Sequence, residues 1–344
     1  MPDIANDPRL DPRIRAFLLQ APVSMTSNPS ATSREQLLAI VNSESARAQG
    51  MVMAQALDAL DIQSVTPDEG LSISTHTLTS HPDGNTLNLQ FIRPDNDQTV
   101  PCVYYIHGGG MASLSCFLGN YRAWGKMIAH QGVAVAMIDF RNSLTPSSVP
   151  EISAFPGGLN DCVSGLRWIS EHAEQLNIDA TRIVISGESG GGNLTLATAM
   201  QLVRDGDIDR VKGLYALCPY VAGIWPDERY PSSTENNGIL IGVSSDWGRL
   251  SYGPDAWDRR NPLAWPGFAT EDDVKGLPPT VISVNECDPL RDEGVAFYRL
   301  LNRAGVQARC RMLMGTCHAI EIFPPVAPEI SISTAREIAD LCRA

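Results

Sequence analysis

The stretch "GESGGGN", Gly187 to Asn193, lies directly after the apolar run "RIVIS" and directly before "LTLATAMQLV". One serine among four glycines, where a strand hands over to a helix, is the pattern G-x-S-x-G in the context that gives it meaning. Small flanking residues are needed because the turn is so sharp that side chains there would collide with the strand or the helix. That strain holds the Ser189 hydroxyl outside the C-terminal edge of a sheet, beside the free backbone N–H groups of a helix N-terminus. Two other glycine loops fail on single residues. A phosphate loop of the form G-x-x-x-x-G-K-[ST] needs a lysine that is missing, and the dinucleotide loop needs a glycine where Ser189 stands. Ser189 therefore reads as a nucleophile.

Outward from this turn, short continuous apolar runs recur: "CVYYI" (102–106), "VAVAMI" (133–138), "RIVIS" (182–186), "GLYALC" (213–218) and "TVISV" (280–284). Helix-length segments separate them, which fits strands buried on both faces by crossover helices. The fold class is α/β with a mostly parallel central sheet. Residues 1–70 have helical spacing instead, with Leu37, Leu38 and Val41 and then Met51, Met53, Leu57 and Leu60 recurring at three or four residues. They are expected to form a helical cap segment. Residues 221–276, rich in Trp, Pro, Asn and Gly, are too long for a plain connection and are expected to add a second cap piece. Core segments then run over 71–220 and 277–344. Met51, Met53 and Met111 are flexible thioethers expected to line an adaptable pocket or to fill the cap core.

A serine hydroxyl needs a base, and an acyl oxyanion needs preorganised donors. "HGGG" (107–110) follows the run "CVYYI", and its glycines let backbone N–H groups approach a substrate oxygen without a Cβ in the way. A glycine run alone is an ordinary turn. Placed about 80 residues before the serine turn, it gains a purpose. Of the six histidines only His318 follows Ser189, and it comes just after the strand-like "ARCRMLM" (308–314). Asp288, just beyond "TVISV", stands where a loop points it at that imidazole. Asp292 and Glu293 fit better as first-turn residues of the next helix, and Asp139 precedes the serine.

Composition excludes other classes. The chain has 344 residues and a net charge of −13, with no basic run, so nucleic acid is not expected as a partner. No apolar stretch approaches the roughly 20 residues of a membrane span, and the charged N-terminus has no apolar leader. A cytoplasmic protein is expected. The eight cysteines show no CxxC pair and no Cys/His ligand spacing, so neither metal nor cofactor is expected.

Together "HGGG", "DFR" (139–141), "GESGGGN", "DPLRDEG" (288–294) and the histidine after "GT" resemble the bacterial hormone-sensitive-lipase-like family of α/β-hydrolases, over roughly residues 85–325. The resemblance implies a serine carboxylesterase for small ester substrates, with Ser189 as nucleophile, His318 as base and Asp288 as its partner. It also implies oxyanion donors at Gly109, Gly110 and Gly190, although the sequence leaves open which two of Gly108, Gly109 and Gly110 donate. His107 and Glu188 are expected to brace the oxyanion loop. A homodimer is implied as well, with the edge segment "QARCRML" (307–313) as its contact. Most of the family has an aromatic residue after the glycines and "GDSAGG" at the serine, whereas this chain has Met111, Glu188 and Gly190. The same fold also carries amidases and peptidases, and a non-catalytic hormone receptor that has lost the histidine, which is present here.

Overall fold

A computed structural model describes residues 2–20, 30–243 and 246–344. Eight strands form one sheet: β1 Leu71–Thr79, β2 Thr86–Pro94, β3 Val100–Ile106, β4 Ala134–Asp139, β5 Ile178–Glu188, β6 Gly213–Leu217, β7 Thr280–Asn285 and β8 Ala308–Leu313. Their order is β1-β2-β4-β3-β5-β6-β7-β8. β2 pairs antiparallel with β1 and with β4, and every other neighbouring pair is parallel. The five apolar runs are β3 to β7.

Helices α1 Pro12–Gln20, α2 Arg34–Val41 and α3 Glu44–Asp58 precede the sheet. Ser33 and Ser43 cap α2 and α3, each side chain accepting a bond from a backbone N–H of the first turn. Along the core follow α4 Gly119–Ala129, α5 Gly157–Glu171 and α6 Gly190–Asp205. Among its described residues the 221–276 interval holds four short α-helices, α7 Ser232–Glu235, α8 Trp247–Tyr252, α9 Pro254–Asp258 and α10 Glu271–Val274. α11 Arg291–Arg303 and α12 Pro328–Arg343 complete the chain.

Why the core runs are apolar without alternation is visible in β3. Tyr104 and Ile106 are buried with Leu166 of α5, Leu196 of α6 and Leu301 of α11. Val103 and Tyr105 are buried on the opposite face with Trp124 of α4 and Ile338 of α12. Both faces are covered, so both sets of side chains must be apolar.

The N-terminal segment is fixed to this core by polar ties. The fully buried Lys126 of α4 places its ammonium 2.5 Å from Asp61 and 2.7 Å from Asp68, and the Gly119 N–H at the start of α4 donates to Asp58 at 2.8 Å. Leu37 of α2 is buried with Leu250 of α8, Ala112 and Leu144. The first helices and the 221–276 interval thus meet above the C-terminal edge of the sheet. Among the described residues no helix is long and apolar enough to cross a membrane.

Candidate active site

Ser189 joins β5 to α6 with φ 56° and ψ −119°, a strained conformation for a residue with a side chain. Backbone bonds hold it there: its N–H donates to Leu217 O at 3.0 Å, and its carbonyl accepts from Asn193 and Tyr220, both at 3.0 Å. The neighbouring glycines are sterically required. A Cβ on Gly187 would lie 2.5 Å from the carbonyl oxygens of Ile106 and Gly191; one on Gly190 would lie 2.6 Å from Met111 N; one on Gly191 would strike the Ile106 carbonyl oxygen. Each contact is backbone, which cannot swing aside. These three glycines are what allow β5, α6 and the "HGGG" loop to come into contact around one serine.

The loops after β7 and β8 bring the remaining groups together. Cys287 N–H donates to Thr316 O at 2.9 Å and Gly315 N–H to the Glu286 carboxylate at 2.7 Å, so the two loops are zipped side by side. Asp288 is fully buried; its Oδ1 accepts from Leu290 N–H at 2.8 Å and its Oδ2 lies 2.8 Å from His318 Nδ1. Burial disfavours an imidazolium, but the Asp288 carboxylate, joined by the charges of Glu188 and Glu321, outweighs it and raises the His318 pKa above its ordinary value. The rejected acids are engaged elsewhere. Asp292 accepts from Ser232 N–H at 2.8 Å and pairs with Arg291 at 2.9 Å. Buried Glu293 holds the N–H groups of Val221 and Trp225, at 2.7 and 2.6 Å, and burial pushes its pKa up to about 8.

Ser189 and His318 line one cavity of about 350 Å³ with Gly109, Gly110, Met53, Trp247 and Phe323. The Ser189 hydroxyl has no hydrogen-bond partner among the described residues; it and the His318 ring share the wall without yet being bonded. The N–H groups of the glycine loop differ in their partners. Gly108 N–H is taken by the Glu188 carboxylate at 2.6 Å, whereas no described acceptor takes the N–H of Gly109, Gly110 or Gly190. Gly109 and Gly110 have φ of +90° and +62°, which turns this loop toward the cavity.

Glu188 is the hub of that loop. Besides Gly108 it accepts from Tyr121 at 2.7 Å and Tyr105 at 2.5 Å. Burial raises its pKa to about 7, and these three donors limit the rise. His107 is buried, its Nδ1 3.0 Å from Gly108 O, its ring stacked 4.3 Å from Phe140. Desolvation lowers its pKa, against the charge of Asp139 3.6 Å from Nε2.

The three methionines separate. Met53 lines the cavity. Met51, one helical residue pair away on α3, is 63% exposed, and Met111 is buried in the sheet core; neither lines the cavity. Helical spacing distinguishes 51 from 53 only when the buried face is known. Much of the wall, Leu240 to Val243, Trp247 and Ile322, carried no sequence signal beyond its apolar character. A further convergence was invisible to spacing: Cys218, Asp288 and His318 bring a sulfur, a carboxylate oxygen and a ring nitrogen within 4.8 Å of one another.

Known proteins align with this geometry. The sequence profile of the α/β hydrolase fold family matches residues 103–322. A carboxylesterase of Mycobacterium tuberculosis, NlhH, is 31% identical over 260 residues, covering 71% of this chain and 74% of its own. An ethyl acetate hydrolase of Pseudomonas putida is 30% identical over 256 residues, covering 73% of this chain and 76% of its own. The solved structure of esterase Est22 with p-nitrophenol is 56% identical, covers 99% of both chains and superposes with a TM-score of 0.96. Brefeldin A esterase, a bacterial homologue of human hormone-sensitive lipase, is 34% identical, covers 98% of this chain and 96% of its own, with a TM-score of 0.83. The chain belongs to the α/β-hydrolase fold family and, within it, to the hormone-sensitive-lipase-like esterases.

Proposed function

We propose that the chain hydrolyses esters of small molecules with short to medium acyl groups, through an acyl-enzyme on Ser189. His318 takes the serine proton, Asp288 holds the imidazole, and the N–H groups of Gly109, Gly110 and Gly190 receive the oxyanion. The observation that carries this reading is a single cavity wall shared by a strained serine, an aspartate-held imidazole and two glycines whose N–H groups no acceptor among the described residues takes. The serine–imidazole bond tightens in such sites when substrate arrives. A p-nitrophenol burst of one equivalent from p-nitrophenyl acetate, with the acetyl group found on Ser189 by mass spectrometry, tests it. The absence of a burst and of an adduct would remove the reading. Matched ester and anilide substrates separate it from an amidase.

Residues 1–70 and 221–276 are proposed as the cap that limits substrate size. A cavity of about 350 Å³ is at the small end for ligand sites, and each acyl methylene adds about 0.8 kcal/mol only while wall remains to cover it. kcat/KM over p-nitrophenyl esters is therefore expected to rise through short chains and fall beyond roughly eight carbons. Efficient hydrolysis of emulsified long-chain triglyceride would contradict it.

Glu188 is expected to act through the oxyanion loop. Glu188→Gln puts an NH₂ donor where one carboxylate oxygen now accepts, so the hydroxyl facing it must turn round and the bonds that hold the loop are neutral instead of charge-assisted; kcat should fall about 10- to 100-fold with KM nearly unchanged. A change confined to KM would place Glu188 in substrate binding instead. The homodimer is retained as a proposal on β8, an exposed sheet edge; a monomeric mass by light scattering at micromolar concentration rejects it. Eight free thiols suit a reducing compartment, and the cytoplasm is proposed on that ground.

A further inference from the structure

β7 and β8 are parallel neighbours whose last paired residues are Asn285 and Leu313. From Asn285 the chain runs on to Asp288, and from Leu313 to His318, so the acid and the base ride on two loops that leave one register pair. Asn285 is fully buried and does not line the substrate cavity. Its amide nitrogen Nδ2 donates to Thr316 Oγ1 at 2.9 Å and to Glu321 Oε2 at 3.1 Å. Thr316 stands two residues before His318 and Glu321 three residues after it, and both are fully buried. One amide therefore holds the base loop from both sides. Its orientation follows from its partners. The Thr316 hydroxyl donates to Leu313 O at 2.6 Å, which leaves Thr316 Oγ1 as an acceptor, and a carboxylate can only accept.

The two sides of that loop are not equally secured. Before His318, the Cys287 N–H and the Glu286 carboxylate already tie it to the loop after β7. After His318 the chain turns sharply, with Ala319 at φ 52°, and among the described residues the backbone bonds of 319–322 stay within 317–323. On that side the Glu321 carboxylate is what reaches β7. Stability alone does not account for it. Glu321 Oε1 and Asn285 Oδ1 are buried without a hydrogen-bond partner among the described residues. Burial raises the Glu321 pKa, against its own backbone N–H, Asn285, Arg311 and His318. An apolar side chain of similar size would remove that desolvation cost. What it would not supply is a directional bond from β7 to the far side of the base.

We propose that Asn285 and Glu321 are positioning residues, a bracket that sets the His318 imidazole between Asp288 and Ser189. The inference rests on the reading of His318 as the base. Neither side chain lines the cavity, so neither meets substrate, and their effect passes through the placement of the ring. A base loop released on one side would still fold and still leave the cavity able to bind an ester. It would carry the imidazole out of line with the serine hydroxyl, and a misplacement of roughly 1 Å costs on the order of 10²-fold in rate.

Variants of the full chain, assayed with p-nitrophenyl acetate beside thermal melts of the same preparations, test this. Glu321→Gln and Glu321→Leu lose the same charge, but only glutamine keeps an oxygen for the Asn285 amide. The kcat of Glu321→Leu is expected to lie at least about tenfold below that of Glu321→Gln, with KM nearly alike. Asn285→Asp sets a carboxylate against the Glu321 carboxylate and should lower kcat about 100-fold. Combining Asn285→Asp with Glu321→Gln exchanges donor and acceptor. The introduced amide donates to the introduced carboxylate, and the Thr316 hydroxyl turns from Leu313 O to do the same. This double variant should be at least about tenfold faster in kcat than Asn285→Asp alone. A merely structural tie would move the melts without this reciprocal recovery. Equal kcat in the two Glu321 variants, a double variant no faster than Asn285→Asp, or losses that lie in KM overturns the inference. Should Asn285→Asp fail to fold, the two Glu321 variants decide. Native activity with no acetyl adduct on Ser189 removes the proposed function instead, however these variants behave.

Discussion

Ser189→Ala and His318→Ala are each expected to lower kcat by about 10⁵ to 10⁶, and the double replacement to cost little more than either alone. The hydroxyl and the imidazole act on one proton, so removing the second partner takes away nothing that remains. What survives is binding and oxyanion stabilisation from Gly109, Gly110 and Gly190, on the order of 10³-fold over water. Folding should be spared in both variants. Ser189 is fixed by its backbone N–H and carbonyl, which alanine keeps, and its strained φ of 56° is no more costly for alanine than for serine. Steady-state rates with p-nitrophenyl acetate, beside thermal melts of the same preparations, check both halves. More than about 1% residual activity in a well-folded Ser189→Ala protein would require another nucleophile.

The parts of this architecture that were legible in the sequence are those where local chemistry and tertiary role coincide. β3 to β7 are apolar throughout because helices cover both faces, and that demand is written residue by residue in "CVYYI" and "TVISV". The glycines at 187, 190 and 191 are equally legible, since only backbone contacts surround them and no other residue fits. Chain order added His318 and Asp288. The resemblance to a family suggested the donors, and the Glu188 carboxylate, which holds Gly108 N–H, is the observation that favours Gly109 and Gly110 for that role.

The cavity wall was far less legible, and the reason is physical. Most of its residues are apolar, like the core, and they come from six separate stretches that meet only after folding. Met51 and Met53 illustrate the limit. Both lie in one helical run, but two residues turn a helix by about 200°, so one faces the cavity and the other solvent. The phase of α3 is set by the tie from Asp58 to the N-terminus of α4 and by the Lys126 clamp beyond it. No periodicity within α3 encodes those long-range contacts. Cys218 was missed for a related reason, because the cluster it joins is assembled from positions 218, 288 and 318.

Asp288→Asn is expected to lower kcat about 10⁴-fold without unfolding the protein. The amide must choose an orientation, and Leu290 decides it. Leu290 N–H donates to Oδ1 at 2.8 Å and needs an oxygen there, so the amide nitrogen is turned toward His318 Nδ1, where Oδ2 now stands at 2.8 Å. An NH₂ donor at that place holds Nδ1 as an acceptor and puts the ring proton on Nε2, the nitrogen that must be free to receive the serine proton. The same substitution moves the pH profile. In the native protein burial lowers the His318 pKa, and the Asp288 charge and hydrogen bond, with the charges of Glu188 and Glu321, more than restore it; without the Asp288 charge the pKa falls from its native level. Activity requires the neutral ring, hence the acid limb of kcat/KM shifts to lower pH while the plateau drops. Asp292→Asn alters only a bond to Ser232 and a pair with Arg291, and should stay within about fivefold of the native rate. If Asp292→Asn abolished hydrolysis while Asp288→Asn kept more than a tenth of it, the orienting carboxylate would be misassigned.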